Sequence, residues 1–330
     1  MIFFIQSRNN VQTPYDIFVI INSSRVKIGN YYCKNPMIQI LLIYRFEFSE
    51  QFINLVYTAK DVLRLLKVAA IQLQAYPSQR ETNINNCIQM VEEAAKQGAE
   101  LIVLPELWIS GYYLSKEEFQ LFGEAPTGKT VGLFQDLAKN LGTVLVVPFV
   151  EVENEQLFIA LAVIETTGEV ITTYRKAFLW GREKDIFTPG ERVFNPVETS
   201  KGKIGVLICA DIEFPEPSRI LALQGADLIV VPSVWSYGAE TRWDIQLPAR
   251  ALDNTVFILG VNTVNEGSCG KSKLVAPNGE VLCEAPRDET SILIHDVDFS
   301  LIPKTRIDVP YLDDLDKDLY PATIKTKLPV

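Results

Sequence analysis

Residues 98–106 read GAELIVLPE, and residues 225–233 read GADLIVVPS. Each stretch is a glycine of the kind that stops a helix, an apolar run of strand length, and a proline at the strand's exit. A match over nine positions arises by chance in some chains that alternate helices and strands, and it also fits two related halves. On the second reading Glu106 and Ser233, just past each strand's apolar run, occupy comparable places. Ligands bind at strand ends in α/β sheets, so both residues become candidates for one cleft.

The same alternation spreads outward from both copies. KVAAIQL (67–73) reads as a buried strand, and the segment after it spaces Ile84, Cys87, Ile88, Val91 and Ala95 as one face of a helix ending at Gly98. KTVGLFQDLAKNLG (129–142) predicts a helix and TVLVVPFV (143–150) a strand, while LFIALAVIE (157–165) and EVITTYRK (169–176) predict a hairpin across TTG. KIGVLIC (203–209), a helix over 217–224, the strand of 227–233, a helix from Trp243 to Asn254 and VFILGVN (256–262) repeat the theme. Helices alternating with buried strands, interrupted by hairpins, predict an α/β fold of sheets covered by helices rather than a doubly wound sheet.

Composition narrows the function. In 330 residues, 41 acids against 31 Lys and Arg give a net charge of -10, which argues against a nucleic-acid footprint. The longest apolar run near the N-terminus, MIQILLIY (37–44), is far short of the roughly 20 residues that span a bilayer, so no membrane partner is expected. Five cysteines (Cys33, Cys87, Cys209, Cys269, Cys283) form no CxxC pair and no zinc spacing, which predicts reduced thiols, a cytoplasmic location and no metal. The single histidine, His295, lies in the strand-like SILIHDVDF, so a Cys–His pairing has little support. GEAPTGKT (123–130) fits the P-loop pattern letter for letter, but no buried strand precedes it and Glu124 would stand beside the phosphates, so it is read as a chance match.

Three residues then stand out. Cys209 ends KIGVLIC before the turn ADIEFPEP, where the amides of the turn and the following helix would favour a thiolate; a small hydrophobe closing a core strand is the other reading. Glu106 follows a strand and a proline in LPELW, where burial would raise its pKa toward a value useful to a general base. Lys176, before the apolar AFLW, offers a cation for a developing oxyanion. Each of the last two, taken alone, also reads as a surface charge.

Together, LIVLPELWISGY around Glu106, YRKAFLW around Lys176 and GVLICADIEFPE around Cys209 resemble the three ordered blocks of the nitrilase superfamily of carbon–nitrogen hydrolases, over Leu66 to Tyr320. The resemblance implies a four-layer α-β-β-α sandwich, a Glu106-Lys176-Cys209 triad, no cofactor and a homo-oligomer. A further family glutamate matches Glu183 in GREKDIFTPG, which would orient Lys176 or contact the amine side of the substrate; the Ala210 N–H would join Lys176 in an oxyanion hole. The expected substrate is a small linear amide. Cys209-Ala210-Asp211 departs from the Cys-Trp-Glu of true nitrilases, and DIEFPE is similar to amidases for ω-amino amides and to some N-carbamoyl amine hydrolases. Glu213 could pair with a substrate ammonium or be a solvent-facing turn acid, and Tyr112 and Trp235 could line the pocket or simply pack. An acyltransferase and a catalytically silent binding module stay open as other uses of the same fold. The C-terminal VPYLDDLDKDLYP is also similar to the tail of amidase members.

Residues 1–62 form an atypical extension, rich in Ile, Phe, Asn and Tyr with only Gly29 and Ala59 of their kinds; residues 63–330 form the hydrolase domain. Such a composition is what AT-rich DNA encodes when read as protein, so the extension is expected to be spurious or disordered, and dispensable; its rival is a β-rich segment in which MIQILLIYRFEF forms a strand. A chain starting at Val62 is expected to be soluble and fully active. Loss of activity or a lowered melting temperature in that truncation would show that the extension belongs to the working fold.

Overall fold

The computed structural model describes residues 2–4, 15–21, 40–48, 51–58 and 65–315. It divides into two compact units, one of Met1–Leu65 with Asp298–Ser300 and one of the remaining residues from Leu66 onward. In the first, strands β1 (Ile2–Phe4), β2 (Tyr15–Ile21), β3 (Ile40–Phe48) and β4 (Gln51–Thr58) form an antiparallel meander in that order. The β3 strand falls within MIQILLIYRFEF. The rest of the extension, Cys33 included, and the final DKDLYP of VPYLDDLDKDLYP lie outside the described residues.

The second unit carries two six-stranded sheets. Sheet one contains β5 (Leu65–Gln72), β6 (Leu101–Val103), β7 (Val144–Glu153), β8 (Gln156–Ile164) and β9 (Val170–Arg175). Sheet two contains β10 (Val197–Thr199), β11 (Gly202–Val206), β12 (Leu228–Ser233) and β13 (Phe257–Asn262); after the small hairpin of β14 (Val264–Asn265) and β15 (Ser268–Cys269) it takes in β16 (Lys273–Val275) and β17 (Val281–Glu284). A last strand, β18 (Ser291–Asp298), returns to sheet one beside β5. The orders are β18-β5-β6-β7-β8-β9 and β10-β11-β12-β13-β16-β17.

The two orders repeat one plan. In each sheet the second to fourth strands run parallel and the last two add antiparallel. The quoted stretches supply β6 and β12, third in each sheet, so the echo in the sequence marks the same place in two halves. β6, β12 and β13 are buried along their whole length, which explains why their sequences are continuous apolar runs rather than alternating ones. Helix α1 (Arg80–Lys96) packs on β6, α2 (Lys116–Phe122) on β7, and α3 (Lys129–Leu141) on β7 and β8. Past the short α4 (Glu183–Ile186), α5 (Pro215–Leu223) packs on β11 and α6 (Glu240–Asn254) on β13 and β16, and α7 (Leu301–Asp308) closes the described chain. The architecture is the α-β-β-α sandwich. Between the layers, Gln72 of β5 accepts from the Ser272 N–H at 2.9 Å and donates to the Pro286 and Glu289 carbonyls.

The P-loop-like segment does something else. It follows α2 rather than a strand, and Glu124 accepts from both the N–H and the hydroxyl of Thr130 while pairing with Arg80 at 3.0 Å. A carboxylate thus already caps the helix end where a phosphate would sit. Among the described residues no helix is long and apolar enough to cross a membrane.

Gly98 and Gly225 open the two copies of the echo and share one conformation, with φ of +89° and +88°. Their N–H groups bond back to Ala95 and Ala222, turning each helix into the strand that carries a site residue. At Gly98 an added Cβ would meet only the flexible Lys67 side chain, at 3.6 Å or more, so any penalty there is one of backbone conformation. Gly98→Ala and Gly225→Ala are each expected to destabilise the protein by about 1–2 kcal/mol, measured by denaturant unfolding. No loss in either variant would refute the strain argument.

Candidate active site

Three chain turns bring the site together. Pro105 ends the run from β6 and Leu107 takes φ +49°, which aims Glu106 inward with no exposed surface. Lys176 directly follows β9 and is 1% exposed. The strand that sequence reading ended at Cys209 stops at Val206; Cys209 instead opens a 3₁₀ turn, Cys209–Glu213, at φ +47°. For a non-glycine residue that left-handed conformation is costly, and strain of this kind collects at functional sites.

The Lys176 ammonium is held between two carboxylates. Its Nζ lies 2.7 Å from Glu106 Oε1 and 2.7 Å from Glu183 Oε2, and all three side chains are at most 2% exposed. Glu183 also accepts from the Trp180 N–H at 2.9 Å and the Tyr112 hydroxyl at 3.1 Å. The other Glu106 oxygen accepts from the Val234 N–H at 2.8 Å, and the Val234 carbonyl accepts from the Cys209 thiol at 3.8 Å. One residue past β12 therefore contacts both the carboxylate from sheet one and the thiol from sheet two.

Burial and charge set the protonation states. Burial, reinforced by Glu183 and opposed by Lys176 and the Val234 N–H, pushes the Glu106 carboxyl up to about 7. Burial would lower Lys176, but Glu106 and Glu183 outweigh it and hold the ammonium charged well above its ordinary range. For Cys209, burial and the Glu106 charge push the thiol well up against the pull of Lys176. This reverses the thiolate expected from turn amides, because those amides are outweighed by desolvation and two carboxylates. The resting site is a neutral thiol beside a carboxyl poised near neutrality, the arrangement in which a base takes the proton as the sulfur attacks. Ala210 is the second residue of the 3₁₀ turn, whose first N–H groups have no acceptor inside the helix.

The remaining sequence candidates divide. Tyr112 belongs to the charged cluster through Glu183 rather than serving only as a wall. Ser233 is buried and its hydroxyl donates to the Val231 carbonyl at 3.1 Å; its neighbour Val234 makes the contact with Glu106. Trp235 donates its indole N–H to the Ala239 carbonyl at 2.8 Å and packs on Trp243. Glu213 is partly buried, and its Oε1 pairs with Arg242 at 3.3 Å; Arg242 also lies over the Trp180 ring at 4.9 Å. Sequence reading missed Val234, because a backbone contact leaves no side-chain signature, although the echo placed the right strand end. It also missed Asp211, which is fully buried. His295 sits in β18 with Nδ1 at 2.8 Å from the Asp296 carbonyl oxygen. A cavity of about 350 Å³ bounded by Thr172, Tyr174, Arg175, Pro189, Asn195 and Val206 has none of Glu106, Lys176, Glu183 and Cys209 in its lining.

Comparison with known proteins gives a consistent answer. The sequence model of the carbon–nitrogen hydrolase family matches residues 67–307. A nitrilase of Pyrococcus abyssi is 34% identical over 262 residues, covering 77% of this chain and 97% of its own. An N-carbamoylputrescine amidase of Solanum lycopersicum is 30% identical over 283 residues, 78% of this chain and 94% of its own. Among solved structures, a carbon–nitrogen hydrolase from Helicobacter pylori G27 is similar with a TM-score of 0.73 at 27% identity, over 78% of this chain and 97% of that one. A variant of the Nesterenkonia sp. AN1 amidase, bearing the acetamide moiety of fluoroacetamide on its active-site cysteine, is similar with a TM-score of 0.66 at 27% identity, over 77% and 95%.

The state of Glu106 makes a pH test. Below about 7 the carboxyl is protonated and cannot accept the thiol proton, so kcat/KM for an amide is expected to fall tenfold per pH unit on an acidic limb with its midpoint near 7. Stability runs the other way. Between about 4.5 and about 7 the folded chain binds more protons at Glu106 than the unfolded chain, so this residue's contribution falls as pH rises through that window. An acidic limb near 4.5, the ordinary glutamate value, would remove Glu106 as the base.

Proposed function

The chain belongs to the carbon–nitrogen hydrolase family and is an amidase-type enzyme, and from that premise we propose that it hydrolyses a small linear amide through a thioester on Cys209. The observation that carries this reading is the buried Lys176 ammonium clamped by Glu106 and Glu183, with the Glu106 carboxylate and the Cys209 thiol joined at Val234. Glu106 takes the thiol proton as the sulfur attacks the carbonyl carbon. The carbonyl electron pair moves to oxygen, where Lys176 and the Ala210 N–H hold it. As the tetrahedral adduct collapses, Glu106 hands its proton to the departing nitrogen and ammonia leaves a thioester. Glu106 then deprotonates a water, whose attack releases the acid and restores the thiol.

Glu183 keeps Lys176 charged and aimed, and Tyr112 and the Trp180 N–H keep Glu183 in place. Arg242 competes with a distal substrate ammonium for Glu213, which weighs toward short uncharged aliphatic amides and against ω-amino amides. A carbamoyl amine is the second reading, supported by similarity to the tomato N-carbamoylputrescine amidase; it would yield an amine, carbon dioxide and ammonia. The described cysteines, Cys87, Cys209, Cys269 and Cys283, are all free, in keeping with a reducing, cytoplasmic setting.

The test is ammonia release from a panel of short aliphatic amides, ω-amino amides, carbamoyl amines and nitriles, with carbon dioxide followed in parallel. Turnover is expected with the amides. Cys209→Ala is expected to lower kcat by more than about 10³-fold while the melting temperature stays within a few degrees. Ammonia release by that variant at near wild-type rate would overturn the thioester, and activity confined to carbamoyl amines would select the second reading.

A further inference from the structure

Asp211 lies two residues past Cys209 and is fully buried. Its Oδ2 accepts from the Ile208 N–H at 2.9 Å and from the Tyr174 hydroxyl at 2.8 Å. Its Oδ1 accepts from the Phe178 N–H at 2.9 Å and the Ala177 N–H at 3.2 Å. These donors belong to two sheets. Tyr174 is in β9, and Ala177 and Phe178 follow Lys176 off that strand, whereas Ile208 precedes Cys209 beyond β11. One carboxylate thus joins the covalent neighbour of the lysine to the covalent neighbour of the nucleophile.

We propose that Asp211 is a positioning residue that sets the separation between the Lys176 ammonium and the Cys209 sulfur, and that Tyr174 acts through it. The proposal rests on the cysteine thioester reading and assigns the acid of Cys209-Ala210-Asp211 to geometry rather than to substrate choice. A cap for the 3₁₀ turn would account for the Ile208 bond alone. It does not account for three donors arriving from the lysine's strand and loop.

The chemistry of the four donors requires a carboxylate. Two oxygens offer about four lone-pair sites, and here four donors fill them. An amide at the same place has one accepting oxygen, and its NH₂ would face donors on the other side. Burial pushes the Asp211 carboxyl up to about 6, against the pull of the Ile208 N–H, Tyr174 and Lys176, so it is ionised at neutral pH and all four bonds hold together. Burial and the Asp211 charge raise the Tyr174 phenol, which keeps it a donor.

The experiment compares Asp211→Asn, Tyr174→Phe and the double variant with wild type, on the best amide of the panel, at pH 8. For Asp211→Asn, kcat is expected to fall about 10²-fold, as a misplacement near 1 Å costs, with KM held within about threefold. Tyr174→Phe is expected to lose about fivefold in kcat, and the double variant no more than Asp211→Asn, since both act through one carboxylate. Alkylation of Cys209 by a haloacetamide, followed by intact mass, should slow in step with kcat while melting temperatures stay close to wild type. Wild-type kcat in Asp211→Asn, a loss confined to KM, or additive losses in the double variant would each overturn the proposal. Should Asp211→Asn fail to fold, Tyr174→Phe decides: unchanged kcat overturns the proposal, and a selective kcat loss supports it. Failure of the thioester reading shows separately, as wild-type turnover with no acyl or alkyl adduct on Cys209, and would remove the basis of both.

Discussion

An ammonium held away from water between two carboxylates is the constraint around which this site is built. Lys176 cannot be charged and buried unless Glu106 and Glu183 stay beside it, and the two carboxylates cannot lie so close unless Lys176 stays between them. Removing one member of such a buried set typically costs about 3–5 kcal/mol, because it leaves a charge without compensation. The three residues come from the end of β6, the end of β9 and the start of α4, so their mutual dependence fixes the relative position of three chain segments. Further bonds hold the outer edge of the cluster: Arg182 donates to the carbonyls of Tyr112 and Leu114, which anchors the loop that carries Tyr112 to the helix that carries Glu183.

The cluster belongs to sheet one, while Cys209, the proposed nucleophile, belongs to sheet two. Two links carry the geometry across. Val234 donates to Glu106 and accepts from the thiol, and Asp211 gathers donors from both sheets. The Cys209 turn is held from a third side by Arg250 of α6, which donates to the carbonyls of Ile212 and Glu213 at 3.2 and 3.0 Å. A cysteine at φ +47° with these restraints before and after it has little freedom to relax. That rigidity suits a reaction in which a displacement of about 1 Å at the reacting atoms is worth two orders of magnitude in rate.

Much of this was legible in the sequence, and the parts that were not have physical reasons. The echo of residues 98–106 and 225–233 gave the third strand of each sheet, because a fully buried strand can only be written as an apolar run and its entry demanded glycine both times. Glu106 and Lys176 each looked ambiguous alone, and Glu183 entered only through the resemblance; their meaning lies in mutual burial, which no local pattern encodes. The backbone of Val234 leaves no trace in a side chain. The state of Cys209 was misread because turn amides are visible in sequence, whereas desolvation and the fields of two distant carboxylates are not. The partner of Glu213 was invisible for the same reason, since Arg242 arrives from a helix 29 residues later.

Burial that raises a carboxyl's pKa works against the ionised form, and the site contains two such groups, Glu106 near 7 and Asp211 near 6. Both ionised forms cost stability at neutral pH, yet neither carboxylate can be removed alone, because Lys176 would lose a compensating charge and the donors around Asp211 their acceptor. Their difference is informative. Asp211 is drawn back toward ionisation by two backbone N–H groups and a phenol as well as by Lys176, against the burial that raises it to about 6. Glu106 receives the Lys176 ammonium and one N–H but also faces the charge of Glu183, which leaves it balanced between its two states. A group that must only hold geometry is better fully ionised, and a group that must accept and return a proton in each cycle is better poised near the working pH. On the proposed mechanism the surroundings of the two carboxylates divide their roles: Asp211 is saturated with donors and held still, and Glu106, with fewer, exchanges a proton with the thiol.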